Sequence, residues 1–329
     1  MKQKNNKPAI SVIMAAYNSE KYIAEAIESI LNQTFKDFEF IIINDKSTDK
    51  TLDIIKKYTK KDKRIKLIKN GKNEGLTKSL NKGLRRAKGK YIARMDDDDI
   101  SSHNRFMVQN NFLDKNKDIF LVAGSFVYID YLAKRISREV CSYDVKQIKS
   151  ILPSANIIHH PTVMFRNEKK WFYRDKFRYA QDYDLWLRLL TNKKCMIILP
   201  ECVLAYRLHK DSISSSKRIK QQLFVKIARR FYFERLKENE DNYSSWDTNS
   251  ILSMKNELEE ENYINETIQL KKIFKNETPK KFRKELYKSW RVFGKLFWIK
   301  GYLFFLISFF PAPIQRRVKT IIWGALRNY

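Results

Sequence analysis

The sequence predicts an α/β fold with a mostly parallel central sheet, followed by a helical C-terminal region. Apolar runs alternate with amphipathic helical stretches from residue 9 to about residue 95, the pattern of strands joined by right-handed crossovers. Polar and acidic residues fall just after those runs, at the strand ends where α/β proteins place ligands. With 329 residues, 43% of them apolar, the chain has room for a full catalytic domain and a smaller appendage.

The first run, Ala9 to Ala15, is apolar but for Ser11 and carries Ile and Val, as a buried parallel strand should. It gives way to Ala16-Tyr17-Asn18-Ser19, where Ser19 is expected to cap a helix whose stripe is Ile23, Ala26, Ile27 and Ile30. A second strand, Phe38 to Ile43, runs into the polar stretch Asn44 to Asp49, and a basic helix continues to about Lys60. Asp49 reads either as an acid favoured by that helix's dipole or as a ligand contact. A third strand, Ile65 to Ile68, precedes Asn70 to Gly75 and a helix to about Ala87. There is no GxGxxG after the first strand and no GxxxxGK[ST], so neither a dinucleotide fingerprint nor a Walker phosphate loop is present.

The fourth strand, opening at Tyr91, stops at four consecutive carboxylates, Asp96 to Asp99. Four like charges repel one another unless a cation is present, and alternate side chains of an extended segment point the same way, so Asp96 and Asp98 can share a divalent ion. The plainer reading is a solvated acidic turn that caps the next helix. That helix starts at Ser101 or Ser102 and runs to about Asp114, with Arg105 as an ordinary salt-bridge donor. Ile119 to Val127 reads as a further strand, and Tyr128 to Ser154, interrupted by Pro153, as variable connecting structure. His159 and His160 are expected to open another strand, whose alternation would send them to opposite faces and away from a shared metal. Ala180 to Leu190 is helical, with Leu185, Trp186, Leu189 and Leu190 on its apolar face and Asp182 at or just before its start. A strand from Met196 to Leu199 leads towards Tyr206-Arg207-Leu208-His209.

Lys and Arg total 66 against 37 acids, a formal charge of +29 that suits a polyanionic surface, either nucleic acid or an anionic leaflet. No nucleic-acid reading module accompanies the charge, so nucleic acid is not the expected partner. Three scattered cysteines form neither a disulfide framework nor a zinc cluster, and the N-terminus does not read as a signal peptide, which together suit the cytoplasm. Domain limits are expected at 1–215, 216–280 and 281–329. The first helical stretches after the boundary are Arg218 to Glu238 and Ser250 to Phe274. The last segment carries eleven Lys or Arg against the single acid Glu285, and its apolar centre, Gly301 to Ile314, is too short for an ordinary membrane span. It reads as an amphipathic anchor on an anionic inner membrane surface, or else as a buried or oligomer-forming helix.

Three stretches together carry a resemblance: ISVIMAAYNSEKYIAEAIESILNQTFKDFEFIIINDKSTDKT, NEGLTKSLNKGLRRAKGKYIARMDDDD and AQDYDLWLRL. They resemble the family 2 inverting glycosyltransferases of the GT-A fold, whose bacterial members build capsule, O-antigen and lipooligosaccharide sugars. The likeness runs from about Pro8 to Ser214. It implies one nucleotide-sugar-binding domain in which Ala16, Tyr17 and Asn18 hold the base and Asp45 contacts uracil or ribose. Asp96 and Asp98 become the D-x-D that binds Mn²⁺ or Mg²⁺, with Asp98 the direct ligand, Asp96 reaching ribose or a metal-bound water, and Asp99 orienting the shell. Arg94 pairs with a carboxylate or approaches a phosphate. Asp182 becomes the catalytic base that deprotonates the acceptor hydroxyl, leaving Asp184 structural and Arg188 bracing the helix. His209 completes the metal shell or touches the diphosphate, and Arg207 or Lys210 neutralises phosphate. The family pattern has glycine at Lys46, which here can approach the phosphates, and more often glutamate at Gln181. The implied activity is inverting transfer of a sugar from a nucleotide diphosphate donor, UDP-linked, to a hydroxyl of a growing surface glycan or lipid-linked acceptor at the cytoplasmic membrane face. A teichoic-acid-type or protein glycosyltransferase, a basic nucleic-acid-binding protein and a non-catalytic scaffold are the rival readings, and an oligomer stays open.

Overall fold

A computed structural model describes residues 7–209 and 218–249. The expected helix from Ser250 to Phe274, the anchor at 281–329 and Lys210 lie outside the described residues.

Chain order is β1 (Ile10–Ala16), α1 (Ile23–Leu31), β2 (Phe38–Asn44), α2 (Thr51–Lys61), β3 (Ile65–Lys69), α3 (Leu76–Arg86), β4 (Tyr91–Met95), β5 (Ile100–Ser101), α4 (Arg105–Lys115), β6 (Ile119–Ile129), β7 (Arg135–Glu139), α5 (Val145–Ile151), β8 (Met164–Arg166), α6 (Gln181–Thr191), β9 (Cys195–Arg207) and α7 (Arg218–Glu238). All but β7 follow the order β3-β2-β1-β4-β8-β6-β9-β5, and β7 hangs on β6 as a hairpin. Strands β3, β2, β1 and β4 are parallel, as are β6 and β9, while β8 runs antiparallel between β4 and β6. The sheet is therefore mostly parallel, and the C-terminal ends of β1, β2, β4, β6 and β9 share one edge.

Side-chain alternation splits β1 between two layers. Val12 and Met14 pack with Ile23, Ala26, Ile27 and Ile30 of α1 on one face of the sheet. Ile13 and Ala15 pack on the other with Leu80 and Leu84 of α3 and Leu185, Trp186 and Leu189 of α6. This period of two is why the run is apolar at every position but Ser11, whose hydroxyl donates to Glu39 at 2.6 Å. Helix α3 lies close against the sheet because position 83 is glycine: a Cβ there would stand 2.6 Å from Ile13 Cγ2.

Several expectations are corrected. Ser19 does not cap α1, whose N-cap residue is Tyr22; its hydroxyl donates to Asp97 Oδ2 at 2.5 Å instead. Among the described residues Arg105 makes no salt bridge; its guanidinium Nη2 donates to the carbonyls of Arg94 at 2.8 Å and Val163 at 3.1 Å and so ties β4 to the residue before β8. The stretch 128–154 is ordered, with the β6–β7 hairpin followed by α5, which begins with an Asp144–Gln147 capping box. Residues His160–Thr162 form a 3₁₀ turn, consistent with Pro161 lacking a ladder N–H. The short strand expected at Met196 to Leu199 is the opening part of the thirteen-residue β9. Residues Met1–Ser253 form one compact unit. In that unit, Phe224, Ala228 and Phe231 of α7 are fully buried with the α6 layer.

Candidate functional site

The loops leaving the shared sheet edge are cross-linked by carboxylates. Asp45, at the end of β2, is buried and accepts from Asn70 Nδ2 at 2.7 Å and Glu74 N at 2.8 Å through Oδ1, and from Gly75 N at 2.8 Å through Oδ2. Gly75 has φ 86, a left-handed value that a residue without Cβ adopts freely, which lets its N–H turn towards Asp45. The loop after β3 is thereby fastened to β2.

The loop after β1 is held from two sides. Asn18, at φ 52, accepts from Thr48 N through Oδ1 at 2.8 Å, joining it to the loop after β2. Asp97 Oδ2 accepts from Tyr17 N at 3.2 Å as well as from Ser19. Burial, reinforced by the neighbouring charge of Asp98, pushes the Asp97 carboxyl up to about 7. Ala16 is buried, but the Tyr17 ring is 48% exposed and free to receive a flat apolar group. Lys46 is exposed and holds φ 62. Asp49 takes the structural reading, accepting from Thr51 N and Glu20 N at 3.0 Å each.

The remaining acids of the block diverge. Asp96 pairs with Arg94, which is 2% exposed and whose Nε and Nη1 have no hydrogen-bond partner among the described residues. Asp98 Oδ2 lies 2.9 Å from His209 Nε2, beyond the end of β9. Asp99 is buried, and its Oδ1 accepts from Arg207 N at 2.8 Å. Burial first, then the charges of Asp98 and Asp96, push the Asp99 carboxyl well up, and burial likewise raises Asp96. Arg207 is turned inward: its Nε donates to Asp98 O at 2.8 Å, Nη2 pairs with Glu25, and it is 2% exposed.

Asp182 sits inside the first turn of α6, whose N-cap position is taken by Ala180 at φ 52. Its carboxyl accepts from Asn156 Nδ2 at 3.1 Å and is pushed up by burial, with the charge of Asp96 acting in the same direction. The neighbouring acid is different in kind: Asp184 is fully buried and pairs with Arg188 at 2.9 Å and Arg174 at 3.8 Å. His160 Nε2 lies 2.7 Å from the Tyr173 hydroxyl, and burial, aided by the Arg94 charge, holds His160 well below its ordinary pKa, hence neutral. His159 is turned instead against Phe126, with ring centroids 4.1 Å apart.

Asp97, Asn156, Tyr173 and His160 are the site residues that spacing did not single out. Asp97 was visible within the acidic block, but the D-x-D alternation drew attention to its neighbours. The other three reach the site through contacts between segments 13 to 26 residues apart.

The donor set can be tested against a divalent ion. Among the described residues no three His, Cys, Asp or Glu side chains are gathered into a ready cage. Asp98 and His209, with Asp96 beside them, make an oxygen-rich partial set of the kind that holds Mg²⁺ or Mn²⁺ together with substrate phosphates. The buried Asp99 Oδ2 has no hydrogen-bond partner among the described residues, and burial holds the carboxyls of Asp97 and Asp99 up. The residues fit such an ion.

Residues 11–176 match the family described as glycosyl transferase family 2. The O-antigen biosynthesis glycosyltransferase WbnJ of Escherichia coli is 37% identical over 215 residues, covering 63% of this chain and 82% of WbnJ. The crystal structure of S. aureus TarS 1-349 in complex with UDP has a TM-score of 0.53 at 20% identity, covering 77% of this chain and 76% of that one. The mannosyltransferase PcManGT of Pyrobaculum calidifontis, in complex with GDP-Man and Mn²⁺, has a TM-score of 0.54 at 15% identity, covering 72% and 66%. At those identities the two structures establish likeness of fold, that of GT-A type transferases.

Proposed function

The chain belongs to glycosyl transferase family 2, and we propose that it moves a sugar, with inversion, from a uridine diphosphate donor to a hydroxyl of a growing surface glycan or lipid-linked acceptor. The observation that carries this reading is the separation of two kinds of carboxylate at one sheet edge. Asp98 of the acidic block faces His209, whereas Asp182 stands on α6 and accepts from Asn156.

The exposed Tyr17 ring receives the base, and the Asp45-fastened loop shapes the ribose end of the pocket. Asp98 and His209, with Asp96, would hold Mg²⁺ or Mn²⁺. When bound, that ion supplies Lewis-acid stabilisation of the diphosphate leaving group. Arg94, paired with Asp96, adds fixed positive charge beside that block. Asp182 takes the proton from the acceptor hydroxyl as that oxygen attacks C1, and inversion follows from attack opposite the leaving group. Its raised pKa brings it nearer the operating pH, where a general base works best. A surface-glycan acceptor is supported by the likeness to WbnJ, and uridine by the fold-level likeness to a UDP-bound enzyme. Such acceptors are met at the cytoplasmic membrane face, where a +29 chain is drawn to anionic lipid.

The test is transfer and hydrolysis across UDP-, GDP- and dTDP-sugars with membrane lipid extract, for wild type, Asp98→Ala and Asp182→Asn. The expected result is turnover of one UDP-sugar, lost in Asp98→Ala, with transfer lost and donor binding retained in Asp182→Asn. No donor turnover by wild type with Mg²⁺ or Mn²⁺ would sink the reading.

A further inference from the structure

The β6–β7 hairpin carries an apolar and basic surface that the transfer site does not use. Tyr131, Leu132, Ile136 and Val140 are 62%, 72%, 56% and 57% exposed, on a short stretch that also exposes Lys134, Arg135 and Arg138. Large apolar side chains grouped in this way on a protein surface mark a contact face. The turn that presents them is stiff. Asp130 Oδ1 accepts from Leu132 N at 2.9 Å and Lys134 N at 2.8 Å, and Asp130 N donates to Lys134 O at 2.9 Å. That carboxylate is held inside the turn and, with Glu139, offsets part of the charge of Lys134, Arg135 and Arg138, which leaves the hairpin net positive.

The hairpin is also wired to the site. Arg207 Nη1 reaches the carbonyls of Asp130 at 3.3 Å and Tyr131 at 3.4 Å, while its Nε holds the Asp98 carbonyl. Leu208, 43% exposed, donates its N–H to Ile129 O at 2.9 Å, so apolar surface continues from the base of the hairpin towards His209. One buried guanidinium thus fixes the distance between the tip and the acidic block.

We infer that this hairpin docks on an anionic lipid bilayer, with Tyr131, Leu132 and Ile136 entering the headgroup boundary and Lys134, Arg135 and Arg138 meeting lipid phosphates. Apolar side chains interleaved with cations are what such an interface takes, and an uncharged or cationic surface would not be met by three cations. Among the described residues no helix is long and apolar enough to cross a membrane, so contact at this place is shallow. The inference rests on surface chemistry and holds for any sugar moved. Its bearing on lipid-linked acceptors rests on the proposed transfer.

The test is hydrogen–deuterium exchange of the full chain with vesicles of phosphatidylcholine alone and with about 30% phosphatidylglycerol. Slower exchange of the 130–140 amides only with the anionic vesicles is expected. Leu132→Asp with Ile136→Asp should abolish that protection, and Arg135→Glu with Arg138→Glu should lower vesicle affinity roughly fivefold for each charge removed. Donor hydrolysis without vesicles, unchanged in all four substitutions, separates this result from failure of the transfer reading. The inference is overturned if the 130–140 amides are indifferent to anionic vesicles, whether or not the chain binds them. It is equally overturned if those amides are protected without lipid as protein concentration rises, since the exposed β7 edge would then be covered by a second copy.

Discussion

The Nε2 of His209 stands 2.9 Å from Oδ2 of Asp98, although 111 residues of chain separate them. The contact places an imidazole against the second acid of the D-x-D and closes the site between β4 and β9. Asp98→Asn and His209→Ala should each weaken Mn²⁺ affinity, the histidine change by about 10- to 100-fold, as read from the electron paramagnetic resonance signal of free Mn²⁺ in the presence of UDP. Unchanged affinity in both variants would return the block to a solvated acidic turn.

Asp182 must be ionised to accept a proton, and burial, with Asp96, holds its pKa up. Transfer should therefore decline as pH falls through that raised value. Asn156 opposes the shift by donating to the carboxylate, so Asn156→Ala should move the acidic limb of kcat/KM to higher pH. Asp182→Asn should lower transfer by about 10²- to 10⁴-fold and leave no such limb. A pH profile that does not move in Asn156→Ala would remove this bond from the mechanism.

Asp97 has a folded pKa of about 7 against an ordinary 3.8. The folded protein thus binds this proton more tightly than the unfolded chain does. Its stabilising contribution is full below about 3.8 and is lost as pH rises through about 7. Asp97→Asn removes the titration, so the Tm of the variant relative to metal-free wild type should be higher at pH 8 than at pH 5. A pH-independent difference in differential scanning fluorimetry would contradict the assignment.

The segment leading into α6 is clamped by the stretch that follows α7. Arg174 donates through Nη1 and Nη2 to the two carboxylate oxygens of Asp241 at 3.0 and 2.8 Å, Arg235 pairs with the same acid, and Lys176 Nζ donates to the carbonyls of Tyr243, Ser244 and Trp246. Burial opposes charge on Asp241, but the two arginines hold its carboxyl below the ordinary value. Asp241→Ala leaves Arg235 without a carboxylate and Arg174 with only its longer contact to Asp184, and should cost about 3 kcal/mol in urea denaturation. A chain ended at 215 loses Phe224 and Phe231 from the core and should not fold cooperatively.

Lys46 holds φ 62, a left-handed value. A side chain in this region costs roughly 1 kcal/mol. Lys46→Gly relieves that cost while loosening the unfolded chain, so a small net gain in stability is expected. Donor KM should rise if the lysine also meets the diphosphate and stay level if it does not, which steady-state kinetics separates.

What the sequence determined by itself was everything set by near neighbours. Ile10 to Ala16 had to be a strand buried on both faces, α1 and α6 had to be amphipathic, and the acids had to fall at strand ends, because hydrophobic period and turn chemistry act over a few residues. The motifs Asp96-x-Asp98 and Gln181-Asp182 were legible for the same reason, since each is contiguous. Tertiary structure decided what those residues touch. It placed β8 antiparallel between β4 and β6, sent Ser19 to Asp97 instead of to its own helix, turned Arg207 inward as a strut and brought α7 and Asp241 against the base-bearing segment. Each of these depends on burying a polar group against a partner 60 to 110 residues away. The energy that selects such partners is desolvation, and it exists only once both surfaces are brought together.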